Sequence, residues 1–242
     1  MNISRRKALT VSGSLLTGLS LGMTPERLLA AAAQQAPQAP PPVPDHLADA
    51  TLRQVPVLPL KKDGSVREYS AKDITPITDP VRWRNVKGEG PEIETDYQKL
   101  KVKIAGGGIA RRAGMMSFAD LEKLPRHSQI TLLQCGTKDP HGIVKWTGVR
   151  FSEFAKMLDL QPAASYCRFM AADGMWSDED VRTLMHPQVM LAWLMNDAPI
   201  PRKHGAPLRL LIPFRYGVRS VKALTEVSFS ITVPAPPPPK QA

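Results

Sequence analysis

Polar and apolar side chains alternate over residues 97–104, Tyr-Gln-Lys-Leu-Lys-Val-Lys-Ile, which is the period of a half-buried β-strand. Gly106, Gly107 and Gly108 then predict a turn. Ser117 ahead of Phe118-Ala119-Asp120-Leu121-Glu122-Lys123-Leu124 predicts an N-capped helix that Pro125 stops, with Asp120 near the positive end of its dipole. A short apolar run over residues 129–133 predicts a buried strand ending at Cys135. The loop that follows, from Gly136 to Gly142, runs on into Lys145-Trp146-Thr147-Gly148-Val149. A second amphipathic helix is expected over residues 151–158 and a strand over 166–171. Ser177-Asp178-Glu179-Asp180 reads as the start of a further helical turn. Residues 189–195 form an apolar segment ending at the turn Asn196-Asp197, and residues 208–212 and 226–233 complete the strands. Short strands and helices interleaved without regular βαβ alternation predict a mixed α+β domain.

The two ends of the 242-residue chain look different from this middle. Arg5 and Arg6 precede a modest apolar, glycine-punctuated stretch over residues 11–23, and Ala30-Ala31-Ala32-Ala33 supplies small residues for cleavage, a twin-arginine export pattern in which Ala8 stands where phenylalanine is common. Residues 1–33 are therefore expected to be a signal peptide read by the twin-arginine translocon, and the protein periplasmic; a basic amphipathic anchor is the alternative. That route carries proteins already folded, often around an inserted cofactor. Residues 34–72 read as a Pro/Ala-rich linker and N-terminal extension, residues 73–233 as the folded domain, and residues 234–242 as a Pro-rich tail.

Charge and cysteine content narrow the chemistry. A formal net charge of +10 favours anionic ligands or acidic partners. Nucleic acid is not expected, because the chain is exported and carries no aromatic-interleaved basic motif. Two cysteines, Cys135 and Cys167, form neither CxxC nor CxxCH, so no attached c-type haem is encoded. Cys135 is either a soft metal ligand or a small buried hydrophobe at a strand end, and in an oxidising compartment it could instead pair with Cys167.

Residues 201–222 gather Arg202, Lys203, His204, Arg209, Arg215, Arg219 and Lys222 around an apolar strand. Arg209 at the strand start and Ser220-Val221-Lys222 in a glycine-permitted turn would converge on an anion such as a phosphate; a solvated basic face is the alternative.

In order, Cys135, Trp146-Thr147-Gly148-Val149-Arg150-Phe151, Asp173-Gly174, Leu191-Ala192-Trp193-Leu194-Met195-Asn196-Asp197-Ala198-Pro199-Ile200-Pro201, His204-Gly205-Ala206-Pro207-Leu208-Arg209 and Tyr216-Gly217-Val218-Arg219-Ser220-Val221-Lys222 resemble the molybdopterin-binding domain of the sulfite oxidase superfamily. The resemblance covers about residues 82–230. It implies a mixed α+β molybdopterin domain, without the C-terminal dimerisation domain of the classical members, binding one molybdenum-molybdopterin (Mo-MPT) per chain and no haem. Cys135 would be the protein thiolate on molybdenum. His204 and Arg209 match positions that hold the pterin and its phosphate, Ser220, Val221 and Lys222 match the turn that receives the cofactor, and Arg84-Asn85 resembles a phrase that approaches it.

Two departures bear on substrate. Where sulfite-oxidising members follow the cysteine with Asn-Arg, this chain has Gly136-Thr137-Lys138, so Lys138 would supply the cationic contact. The tyrosine expected after Asp173-Gly174 is absent, with Trp176 and Asp178 close by in sequence. The implied activity is oxygen-atom transfer at sulfur, as in sulfite oxidation, on a small sulfur-containing substrate, with electrons exchanged with a cytochrome c or a membrane haem protein. A sulfoxide reductase of the same fold, similar to the protein-methionine-sulfoxide reductase catalytic subunit, is the alternative within enzymes; a non-catalytic exported anion- or cofactor-binding module is the alternative outside them. His141, six residues beyond Cys135, is a further candidate, ahead of His127 and His186.

Overall fold

The alternation around residue 102 does make a strand, but it starts late. A computed structural model describes residues 57–78, 83, 90–136 and 141–237; the expected signal peptide, most of the linker, Arg84, Asn85, Lys138 and the end of the tail lie outside the described residues. Asp96 accepts a hydrogen bond from the Gln98 backbone N–H (3.0 Å) and caps a 3₁₀ turn over Tyr97–Lys99. The strand β1 then runs over Lys101–Ala105, with Val102 and Ile104 buried and the lysines outside.

The first sheet is built around β1. It has the order β2-β1-β10-β5-β6, with β2 over Gly114–Ser117, β5 over Tyr166–Ala171, β6 over Trp176–Asp180 and β10 over Leu224–Ser230. Only β1 and β10 run parallel, and their register sets Lys103 opposite Glu226, Nζ to Oε2 3.2 Å. The second sheet has the order β3-β4-β7-β8, with β3 over Arg126–Gln134, β4 over His141–Arg150, β7 over Met190–Met195 and β8 over Ala198–Pro199; β9, Arg209–Leu211, also pairs with β7. Among the described residues three short helices connect the strands: α1 over Phe118–Leu121, α2 over Phe151–Met157 and α3 over Val181–Leu184. The core joins apolar residues of β1, β5, β7 and β10 to α2, where Phe151 meets Phe154 and Phe169 edge-on. A smaller cluster lies around Trp146, Met190, Met195 and Leu211. The expected α+β class is what the chain forms, and residues 54–242 make one compact unit.

Helix α1 is shorter than expected and is capped as expected. The Ser117 backbone N–H and hydroxyl both donate to Asp120 Oδ2, at 2.9 and 2.8 Å, and these bonds hold the Asp120 carboxyl below its usual range. Two other expectations are corrected. Residues 177–180 do not begin a helix: they are strand β6, in which Ser177 and Glu179 point inward. A strand this acidic is tolerated because cations meet it. Arg168 grips Asp178 through two bonds of 2.6 and 2.7 Å, and Arg219 Nε lies 2.6 Å from Glu179. Helix α3 starts only at Val181, capped by Asp180, whose carboxylate accepts from the Thr183 N–H at 2.7 Å.

The loop expected from Gly136 to Gly142 ends sooner: His141 already opens the ten-residue strand β4, an element not expected from the sequence, paired to β3 on one side and β7 on the other. Its Gly148 has a steric reason. At the register shift between Thr147 and Gly148, a Cβ on Gly148 would sit inside contact distance of the Leu191 carbonyl on β7. The described part of the N-terminal extension packs along the free side of β3. Glu68 bridges to Thr131, and the Gln188 side chain closes on Val66 through bonds of 2.9 and 3.0 Å.

Gly148→Ala is accordingly expected to destabilise the fold by about 1–3 kcal/mol, the range for forcing an extra carbon into a packed site. Urea unfolding followed by tryptophan fluorescence checks it.

Candidate active site

The two sheets frame one cavity of about 330 Å³. The end of β3 delivers Leu133 and Cys135 to it, and β4 delivers His141, Val144 and Trp146. The turn after β5 adds Asp173 and Met175, Met195 comes from β7, and residues 76–78 with Trp83 close another side. The basic segment contributes His204, Arg209, Val218, Ser220 and Lys222. Side chains 87 residues apart in sequence, Cys135 and Lys222, thus share a wall because β3 ends where the 3₁₀ turn Gly217–Arg219 begins. Gly217 packs there, its would-be Cβ 3.4 Å from the Gln134 carbonyl.

Arg209 is 4% exposed. Its Nη1 donates to the His204 carbonyl at 2.6 Å and its Nη2 to the Ser220 carbonyl at 3.1 Å, while its guanidinium carbon lies 4.9 Å from the centre of the Trp146 ring. Its Nε is buried and has no protein partner among the described residues. Burial pulls its pKa down to about 9, so the group is charged at neutral pH. Lys222 is the second cation. Its Nζ donates to the Lys203 carbonyl at 3.1 Å and sits 4.4 Å from the centre of the Trp83 ring. Burial, and then repulsion from Arg209, pull its pKa down to about 8 against the opposing pull of Asp173. The backbone around it is tightly set: Gly205, at φ +107°, approaches so closely that a Cβ there would lie 2.8 Å from the Lys222 Cβ. The Ser220 hydroxyl accepts from the Ile212 N–H at 3.0 Å and so fixes the turn to the strand segment after β9.

Among the lining residues Asp173 is the one carboxylate, against the cations Arg209 and Lys222 and the imidazole of His204. A low-dielectric pocket with two desolvated cations and an orphaned guanidinium N–H suits an anion with several acceptor oxygens, such as a phosphate. Among the described residues no group of three or more His, Cys, Asp or Glu side chains is placed to hold a metal ion. A metal beside Cys135 would therefore have to bring most of its ligands with it. A phosphate-bearing, sulfur-rich metal cofactor meets both conditions.

Most of the residues expected from sequence meet at this cavity: Cys135, His204, Arg209, Ser220 and Lys222 line it, as does His141. Val221 is placed otherwise. Its side chain is buried in the main core and its carbonyl accepts from the Leu210 N–H at 2.9 Å, so it supports the turn without facing the cavity. No disulfide joins Cys135 to Cys167, which is sealed in the first sheet's core, so the disulfide alternative is not what the chain forms. Neither Trp176 nor Asp178 lines the cavity: Arg168 holds both, one by stacking at 4.7 Å and the other as an ion pair. The residues of that turn that do line it are Asp173 and Met175, the Met175 N–H donating to Asp173 Oδ1 at 2.9 Å. His127 and His186 are not on its wall; His186 packs on Phe214, ring centres 4.7 Å apart. Trp83, Trp146, Met175 and Met195 were not singled out from sequence. Trp146 and Met195 stood inside the ordered family phrases without a role of their own, and Trp83 and Met175 left no such trace.

The family model described as the oxidoreductase molybdopterin binding domain matches residues 88–235. The chain belongs to that family. Within this molybdopterin-binding family it is similar to the protein-methionine-sulfoxide reductase catalytic subunit MsrP of Xanthomonas axonopodis pv. citri, 27% identical over 192 residues that cover 68% of this chain and 58% of that protein. It is also similar to mitochondrial sulfite oxidase of Rattus norvegicus, 29% identical over 169 residues covering 57% of this chain and 30% of that protein. The chain thus spans little more than half of the first relative and under a third of the second. Among solved structures, the sulfane dehydrogenase SoxCD of Paracoccus pantotrophus shares the fold, with a TM-score of 0.53 and 19% identity over 87% of this chain and 60% of that one. The chain thus carries an oxidoreductase molybdopterin-binding domain, and molybdopterin is the cofactor its family binds.

The lowered Lys222 value has a measurable sign. Between about pH 8 and its ordinary value of 10.5 the unfolded chain holds a proton that the folded, cofactor-free chain has lost. Stability of that form should therefore rise with pH across this window, the penalty being full below it. Lys222→Met should remove the rise between about pH 8 and 9, below the onset of the rise that Arg209, lowered to about 9, contributes, as read by melting temperature against pH.

Proposed function

We propose that the protein is a periplasmic molybdenum enzyme that moves one oxygen atom to or from sulfur, with one Mo-MPT per chain. The observation that carries this reading is the placement of the Cys135 thiol on the same small cavity as the desolvated cations Arg209 and Lys222. Arg209 and Lys222, with His204 and the Ser220 turn, would hold the cofactor's phosphate and pterin, and Cys135 would donate its thiolate to the metal. Arg84 and Asn85 would approach the same cofactor, and Lys138 would reach substrate. When bound, molybdenum supplies the two-electron redox change and accepts or releases the oxygen atom.

The chain's own part is orientation and exclusion of water. Trp146 and Trp83 cover the two cations, Val144 and Met195 wall off the inner side, and Cys135 is fixed where β3 ends. The reaction balances in either direction. A sulfoxide with two electrons and two protons gives a thioether and water; sulfite with water gives sulfate, two protons and two electrons. The electrons would pass, one at a time, to or from a cytochrome c or a membrane haem protein, and the paired arginines at positions 5 and 6 support export by the twin-arginine translocon.

Protein produced with its own leader should contain about one molybdenum per chain by elemental analysis, following one cavity of this size and one cysteine on its wall among the described residues. Cys135→Ser should keep the pterin, measured by fluorescence after release, and lose turnover by about 100-fold or more, since losing a direct ligand costs at least what losing a ligand's supporting partner does. Metal-free protein with wild-type stability would refute the assignment. Parallel assays, sulfite with cytochrome c as acceptor and sulfoxides with a reduced dye as donor, give the direction.

A further inference from the structure

Two large aliphatic side chains left in solvent stand on the wall of the same cavity. Ile77 is 47% exposed and Val218 is 37% exposed, and both line it. Exposed aliphatics scattered singly are ordinary, but these two arrive from separate segments, and each is set on a pinned backbone. Two residues before Ile77, the Thr75 N–H donates to the Ile143 carbonyl at 3.0 Å and its hydroxyl accepts from the Ile143 N–H at 3.1 Å. Val218 sits in the 3₁₀ turn closed by the bond from the Ser220 N–H to the Gly217 carbonyl, 3.0 Å.

The charges are arranged the other way. Arg209 is at the buried end of the cavity, and Lys222 is mostly covered by Trp83 and the Gly205 turn. The cation next to Val218 is drawn off: Arg219 Nε lies 2.6 Å from Glu179 and its Nη2 donates to the Asp178 carbonyl at 2.5 Å, and Arg219 does not line the cavity. Among the described residues, the cavity is therefore cationic in depth and largely apolar at its exposed side, with Pro76 beside Ile77 and with Thr78 and His141 as its polar neighbours there.

We propose that Ile77 and Val218 form an apolar collar that selects, among sulfur compounds, those bearing a hydrocarbon substituent on sulfur, a thioether or its sulfoxide, over the inorganic oxyanion sulfite. This rests on the oxygen-atom-transfer reading above and assigns the substrate class to that site. A hydrocarbon substituent held in the mouth gives up apolar surface to both side chains, whereas sulfite gains nothing from them and loses hydration there.

The test uses molybdenum-loaded enzyme and a series of methyl alkyl sulfoxides, methyl through butyl, driven by a reduced dye, with sulfite and cytochrome c alongside. kcat/KM should rise by about two- to fourfold per added methylene, and sulfite should fall below every sulfoxide. Ile77→Ser, and separately the isosteric Val218→Thr, should flatten that slope with chain length while molybdenum content stays at the wild-type level; both sites are exposed, so neither change burdens folding. A flat slope in the wild type, or sulfite as the preferred substrate, would overturn the collar and leave oxygen transfer at sulfur standing. A loaded enzyme that turns over neither class would overturn both.

Discussion

A guanidinium buried without a carboxylate is the constraint on which this site depends. Arg209 is held by two backbone carbonyls, from His204 and Ser220, and covered by the Trp146 ring, yet it keeps a buried N–H unmet among the described residues. Such a group is costly to bury, and it is tolerated because the fold fixes it before any ligand arrives. Gly205, the Ser220 turn and the Leu210 to Val221 bond all serve that fixation. They set Lys222 on the same wall, where two desolvated cations meet one carboxylate among the lining residues, Asp173, a balance suited to an anion.

The sheets explain how a thiol reaches that anion site. Strand β3 runs nine residues along β4 and stops at Gln134, next to the turn at Gly217, so Cys135 emerges at the cavity edge from a fully paired strand. Strand β4 then passes under the cavity as a wall carrying Val144 and Trp146, and its bulge at Gly148 lets β7 come close enough to add Met195. The cation end and the thiol end of the site thus belong to one sheet, with β9 bringing Arg209 alongside β7. The first sheet supplies the third side through the Asp173 turn after β5.

Local chemistry was legible in the sequence where it was self-contained. The Ser117 cap, the strand over Tyr166–Ala171 and the helix from Phe151 depend on neighbours within a few residues, and each forms nearly where its pattern lies. Strand β4 and strand β6 were not legible, because what makes them strands lies elsewhere: the Leu191 carbonyl explains Gly148, and Arg168 and Arg219 explain an acidic strand that otherwise resembles a helix start. The site followed the same division. Cys135, His204, Arg209, Ser220 and Lys222 carry chemistry that ordered motifs reveal. Val221 shared the motif and turned inward, Trp146 and Val218 stood in motif phrases without a role of their own, and Met175 and Ile77 are ordinary apolar residues that only the fold brings to the cavity.

The claim that a protein thiolate joins an anchored cofactor is tested most directly by molybdenum K-edge X-ray absorption on the loaded wild type and on Cys135→Ser. The account predicts one sulfur neighbour fewer around molybdenum in the variant. An unchanged sulfur shell would contradict it.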